Sequence, residues 1–292
     1  MNRTLSILFF TLLMVQKPKA QENGYVHQGE FGITIGGAHY FGDLNTRTGL
    51  QRPKPAIGVF FRKQFGNYVG LRVAGRFAQL SYSDTYSKNE YQKKRNLSFN
   101  SNIFEFALQG DFNFFKFVPN DPKYLFTPYV TLGVGMFSYD PYDYYQGEKI
   151  YLRPLGTEGQ AGGYLGRKEY GSMAFCVPFG VGVKYNVNSK INLSFEICHR
   201  FTTTDYLDDV STTYAPNKFT ADANNPDMFP DGPAGPSTAF YMQDRSIEID
   251  PANPLSSVAG RQRGWSKQKD QYVIAEIGIS FNFGSYRCPT AK

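Results

Sequence analysis

Acidic side chains are the first candidates for chemistry in this chain. Asp205, Asp208 and Asp209 fall within one short segment, TDYLDDVSTTY (Thr204–Tyr214). Carboxylates of this kind are hard oxygen ligands for Ca²⁺. The spacing is not that of an EF-hand loop, so capping and turn hydrogen bonds are the first reading and metal binding the second. An enzyme acting on lipid would need a nucleophile, a base and an orienting group. The histidines are His27, His39 and His199. His39 and His199 fall near the ends of apolar stretches, on the apolar parity, which suits an interface better than a catalytic site. Serines and acids show no spacing that would complete a triad. We therefore expect no enzyme, no cofactor and no small-molecule substrate.

Charge supplies a second set of candidates. Arg62, Arg72, Arg76, Lys184 and Arg200 share one parity with Glu30, Glu105, Asp111, Glu196 and Glu276. Each lies in a segment whose residues alternate apolar and polar or small, the period of a strand. Eight such segments can be read, near residues 30–41, 55–65, 68–82, 99–115, 124–139, 173–187, 191–202 and 271–283. Composition agrees. Aromatics make up 16% of the 292 residues, charged residues only 19%, and glycine is frequent at 29. That excludes disorder, and it disfavours a helical bundle.

The connections alternate between short and long. Gly66-Asn67, KFVPNDPK and Asn188-Ser189-Lys190 are short, whereas 42–54, 83–98, 140–172 and 203–269 are long. This is the pattern of an outer-membrane barrel, with short periplasmic turns and long extracellular loops. The longest loop, 203–269, holds seven of the 17 prolines, so an extended or poorly ordered segment is expected there, placed to cap the mouth or touch a neighbour. A lipocalin also has eight strands, with its apolar face inside. Volume separates the two, because an eight-stranded barrel holds little more than its own side chains. The Phe-rich face is too bulky for that lumen, and the Gly-rich polar face fits it. The fold class expected is all-β: an eight-stranded antiparallel up-and-down transmembrane β-barrel of OmpA/OmpX-like size.

Residues 1–20 read as a cleaved secretory signal peptide: Arg3, then the apolar run Ser6–Val15, then Ala20 before the cut. Residues 21–284 would form the barrel, and 285–292 a periplasmic tail. Without the first twenty residues the net charge of +6 falls to about +3, and the basic residues are scattered, so no nucleic-acid surface is read. The ten charged residues of the inner parity balance five against five, and unpaired charge in a narrow interior is costly. A lumen filled by salt bridges is therefore expected, and a gated ion path is the alternative. The last strand, Glu276 to Phe283, reads polar-x-Gly-x-x-aromatic-x-aromatic through Glu276, Gly278, Phe281 and Phe283, which resembles the C-terminal signal for barrel assembly.

Cys176 and Cys198 share the inner parity on neighbouring strands. The turn near Ser189 makes facing residues sum to about 378, and these two sum to 374. An offset of four residues is roughly 13 Å along a strand, so no disulfide is expected. Cys288 lies in the tail and is either a partner contact or an idle thiol.

HYFGDLN (His39–Asn45), LRPLGTEGQ (Leu152–Gln160) and TDYLDDVSTTY, in that order between barrel strands, resemble the PorG-type outer-membrane barrels of the Bacteroidetes type IX secretion system. The resemblance implies an outer-membrane protein of a Gram-negative bacterium. It also implies an accessory or anchor role in protein secretion and gliding motility, beside a periplasmic ring of PorK- and PorN-type proteins. The alternatives are a stand-alone structural or adhesion barrel, or a narrow channel. By topology the three motifs fall at the extracellular mouth, so the short turns and the tail with Cys288 are the parts placed to meet a periplasmic ring.

Overall fold

Strict alternation gives every strand one bulky apolar edge and one small or polar edge, and a sheet of such strands has two incompatible faces. Closing the sheet on itself hides one face completely. In the computed structural model, which describes residues 25–46, 52–119, 121–160, 162–215, 238–258 and 260–286, this is the result. The wall is formed by β1 (Tyr25–Phe41), β2 (Lys54–Phe65), β3 (Val69–Ser83), β4 (Ser98–Asn113) and β5 (Phe126–Ser138). After a small hairpin, β6 (Tyr142–Tyr145) and β7 (Glu148–Tyr151), it continues through β8 (Met173–Asn186), β9 (Ile191–Thr202) and β10 (Gln271–Tyr286). The order around the ring is β3-β2-β1-β10-β9-β8-β5-β4, and β3 pairs with β4 to close it. All of these pairings are antiparallel. The structure is a closed eight-stranded barrel.

The apolar parity faces outward. Ile35, Phe104, Val134, Phe175 and Ile277 are each more than 60% exposed, while their chain neighbours turn inward. The inward face is crowded enough to require glycine. A Cβ at Gly182 would lie 2.6 Å from the Tyr129 ring, and one at Gly32 would lie 2.5 Å from the Phe60 ring.

Two boundaries differ from the sequence reading by three residues or more. β1 begins at Tyr25, before Glu30, and β10 runs on to Tyr286. The two extensions pair with each other, Tyr25 opposite Tyr286, across an irregularity between His27 and Gly29. The start of the expected tail is thus strand. The hairpin β6–β7 falls within the long connection 140–172. Its turn, Gln146-Gly147, has both φ values positive (51° and 86°), the geometry that matches strand twist in a tight hairpin.

The loop between β9 and β10, where it is described, folds over the mouth, one of the two placements expected of it. It contains a helix at Thr238–Gln243 and short 3₁₀ turns at Arg245–Glu248 and Leu255–Ser257. The physical reason is burial. Leu207, Val210 and Met242 join an apolar cluster with Tyr40, Leu80, Phe99, Phe137 and Tyr272 in the upper lumen. The proline-rich stretch 216–237, residues 1–24 with the expected signal peptide, and 287–292 with Cys288 lie outside the described residues.

Candidate functional site

Beside and below the apolar cluster the lumen is ionic. All ten charged residues of the inner parity are buried in it. Glu30 stands opposite Arg62 across β1 and β2 and is ion-paired with it. The Arg62 Nε donates to Asp111 at 2.5 Å, and Arg72 reaches Asp111 at 3.5 Å and Glu196 at 2.7 Å. Arg76 bridges Glu276 at 2.7 Å, Glu105 at 3.2 Å and Glu196 at 3.8 Å. Arg200 meets Glu105 at 3.0 Å, and Lys184 lies 3.9 Å from Glu30.

Polar side chains that the sequence reading did not single out complete this network. The Tyr129 hydroxyl donates to Glu196 at 2.7 Å and that of Tyr272 to Glu105 at 2.8 Å. Ser280 and Asn192 both donate to Glu30, at 2.5 and 2.7 Å. Pairing with several donors is what makes buried charge tolerable.

Both ends of the lumen are stopped. At the short-turn end, the β4–β5 connection turns back under the barrel, and its backbone binds the neighbouring turn, Phe117 N–H to Asn67 carbonyl at 3.4 Å. Phe117 and Val118 are buried, and the Phe117 ring lies 5.2 Å from the Lys184 ammonium. Only the apolar run FKFV inside a short turn hinted at this stopper.

At the other end the three motif segments interlock. Tyr40, from HYFGDLN, places its hydroxyl 2.5 Å from Asp208 and 2.8 Å from Asp270. The other oxygens of these carboxylates accept the backbone N–H groups of Val210 and Leu207, each at 2.9 Å. One hydroxyl has one proton to donate, so two hydrogen bonds through Tyr40 require a second proton on one of the two carboxyls. Burial pushes both carboxyls upward, helped by repulsion from Asp43 on Asp208 and from Asp208 on Asp270, which favours that shared proton.

Glu158, from LRPLGTEGQ, accepts the N–H groups of Ser211 and Thr212 at 2.9 and 3.0 Å and pairs with Arg263 at 3.1 Å. Thr157 and Tyr170 donate to Asp209 at 2.5 and 2.6 Å. Burial raises Asp209 to about 6, against the pull of Arg263. Arg95 clamps Asp84 through two 2.7 Å bonds and donates to the Arg263 and Asp43 carbonyls at 2.6 and 3.1 Å.

The acidic triplet therefore does not act as one ligand set. Asp205 takes the Ser211 hydroxyl at 2.6 Å, while Asp208 and Asp209 point to the different partners just described. Among the described residues no group of three His, Cys, Asp or Glu side chains is arranged to hold a metal ion. His39 contacts Asn45 at 3.0 Å and His199 contacts Gln271 at 2.6 Å. Both rings belong to an aromatic strip with Phe41 and Phe201.

Cys176 stands opposite Thr202 and Cys198 opposite Gly180, so the thiols are out of register, and both are free and buried. Of the four residues whose pattern resembles an assembly signal, Glu276 is held inside by Arg76, Gly278 packs beside Thr34 and Ser194, and Phe281 and Phe283 face outward.

The interlocked motifs lie within, and the stoppered barrel mostly within, a stretch recognised by one family model, a domain of unknown function (DUF6089), which matches residues 2–224. The chain belongs to the DUF6089 family. No curated protein matches this sequence. Among solved structures, this DUF6089 barrel is similar to the N-terminal β-barrel domain of Pseudomonas aeruginosa OprF, with 10% identity, 88% of this chain and 100% of that chain covered, and a TM-score of 0.37. It is similar to Neisserial surface protein A at 8% identity, with 89% and 98% covered and a TM-score of 0.41. It is also similar to Ail of Yersinia pestis, solved with the heparin analogue sucrose octasulfate, at 10% identity, 88% and 99% covered, and a TM-score of 0.36. At such scores function has to rest on the residues of this chain.

Proposed function

We propose that this protein is a non-enzymatic outer-membrane barrel that works by position: it fixes a periplasmic assembly to the membrane instead of passing a solute. One observation carries the reading. The barrel has a continuous apolar outer wall, and its lumen is filled by ion pairs and stoppered at both ends. An apolar belt of this extent is stable against lipid and would aggregate in water. A filled lumen is a poor conduit and a stiff support.

The assembly we propose is the PorK- and PorN-type ring of type IX secretion, with a role in protein export and gliding. Its support is the resemblance of the three motif segments. Those segments are engaged with one another at the mouth, so the ring-facing surface would be the short-turn end, including the Phe117 turn and the tail that carries Cys288. The test is purification of the tagged full chain in mild detergent, with single-barrel conductance measured on the same preparation. Recovery of ring proteins with no steady conductance supports the anchor. A clean monomer, with secretion intact after deletion, favours a stand-alone barrel. A large steady conductance would sink the closed-lumen reading.

A further inference from the structure

The cap at the long-loop end carries a recess of about 230 Å³ that the closed-barrel role does not use. Its walls come from three segments far apart in sequence: Gly42–Asp43, the short helix Glu90–Arg95, and residues 262–268. Trp265, the single tryptophan of the chain, lines it and is 53% exposed. Tyr91, 39% exposed, lines it too, with its hydroxyl pinned to the Gln262 carbonyl of the facing segment.

The framework around these rings is rigid. The Trp265 backbone N–H is held by both Asp43 carboxylate oxygens at 3.0 Å. A Cβ at Gly264 would come within 2.4 Å of the same carboxylate, so only glycine lets the two segments meet so closely. An exposed indole on a fixed backbone costs little conformational entropy when it is covered by a ligand.

The electrostatics narrow the ligand class. The two cations of the recess are already engaged, Arg95 with Asp84 and Arg263 with Glu158 and Asp209. Among the described residues that line the recess, no free cation is left to attract an anion, and the Asp43 carboxylate, held by a backbone N–H, remains an acceptor for hydroxyl groups. What the rim does offer is the side-chain amides of Gln262 and Gln268, both exposed and able to donate and accept at once. Flat aromatic faces with two-way amide hydrogen bonding suit a neutral ring with hydroxyls at its edge and C–H groups on its face. The volume is below the roughly 300–1,000 Å³ of drug-sized pockets, the scale of one sugar ring.

We propose that this recess is a saccharide-binding site that takes one neutral pyranose unit, stacked on Trp265 and hydrogen-bonded by Gln268 and Gln262. Because Trp265 is the sole tryptophan, its emission reports on the recess alone. The full chain, folded in detergent, is titrated with methyl pyranosides of the common hexoses and N-acetylhexosamines, and separately with lipopolysaccharide in phospholipid vesicles. The expected result is a saturable change in Trp265 emission, with a dissociation constant on the order of 1 mM for single sugars. Response to free glycosides marks a soluble or polymeric glycan as the source, and response to lipopolysaccharide alone marks a membrane glycolipid. Gln268→Ala should weaken binding about fivefold or more, whereas Tyr151→Ala, on the β6–β7 hairpin, should leave it unchanged. Calorimetry on Trp265→Ala should show binding lost while the barrel stays folded by circular dichroism. No saturable response to any sugar, or binding unaffected by both Gln268→Ala and Trp265→Ala, would overturn the proposal.

Discussion

Replacing Glu196 by glutamine removes one charge from the centre of the lumen and changes almost no volume. Glu196 is held by Arg72 at 2.7 Å, by Arg76 at 3.8 Å and by the Tyr129 hydroxyl at 2.7 Å. Breaking one side of a buried ion pair costs about 3–5 kcal/mol, because the partner charge stays buried. Three features of this site place the cost at the low end. Arg72 keeps Asp111 at 3.5 Å and the Thr131 hydroxyl at 3.1 Å. The carbonyl of the new amide side chain can still accept from Tyr129. Glu276, directly opposite Glu196 across β9 and β10, loses a repulsive neighbour. The expected destabilisation is about 3 kcal/mol. With an unfolding slope of about 1–3 kcal/mol/M, the urea midpoint should fall by roughly 1–3 M. The assay is urea unfolding in phospholipid vesicles, followed by circular dichroism and by the mobility of unheated samples on gels. Glu248→Gln serves as the control, since Glu248 forms a part-exposed pair with Arg245 worth at most about 1 kcal/mol. A loss of under about 1 kcal/mol for Glu196→Gln would mean a hydrated lumen whose charges are solvated one by one, and the filled-barrel reasoning would be wrong.

The cap should be tighter in mild acid. Its carboxyls are raised by burial, Asp205 to about 7 and Asp43 and Asp209 to about 6, so the folded cap holds protons that the unfolded loop releases. Its stability is therefore fully present below the ordinary carboxylate range and is lost as pH rises through about 6–7. Proteolysis of the 203–269 loop should quicken from pH 5 to pH 8, and a flat or inverted profile would contradict this sign. Tyr40→Phe, which removes the bridge between Asp208 and Asp270, should loosen the cap by about 1–3 kcal/mol, read by hydrogen exchange at Leu207 and Val210. Phe117→Ala should open the short-turn end and expose the Lys184 ammonium, 5.2 Å from the ring and buried in the native barrel, to a water-soluble amine reagent; unchanged labelling of Lys184 would show that Phe117 is not the stopper. In a Cys288→Ser background, mild oxidation should leave Cys176 and Cys198 unlinked, because Cys176 faces Thr202, and a crosslinked species under non-reducing conditions would refute the register.

The strands and their inward faces were legible because lipid and lumen impose opposite demands on alternating residues. Phe104 and Phe106 had to face one way, Glu105 and Ala107 the other. The register of β8 and β9 was also legible, since the short turn at Asn188–Lys190 fixes which residues meet. The cap was not. Loop residues carry no period, so nothing in LRPLGTEGQ alone says that Glu158 will bind Ser211, Thr212 and Arg263. Nothing in the last loop alone says where Leu207, Val210 and Met242 will go, because the apolar surface they cover exists only once the barrel has closed. Tyr91 and Trp265 became neighbours of one recess for the same reason.

The sequence by itself determined which charges go inside, because parity and side-chain volume allow only one face of each strand to fill an eight-stranded barrel. It did not determine how they pair. Local register alone would be unfavourable in places: Arg62 faces Arg72, and Glu196 faces Glu276. Closure of the ring resolved this by setting β3 across the lumen from β9 and β10, so that Arg72 finds Glu196 and Arg76 finds Glu276. Like charges that repel along the wall are neutralised across the diameter, and a diameter exists only once the sheet has closed.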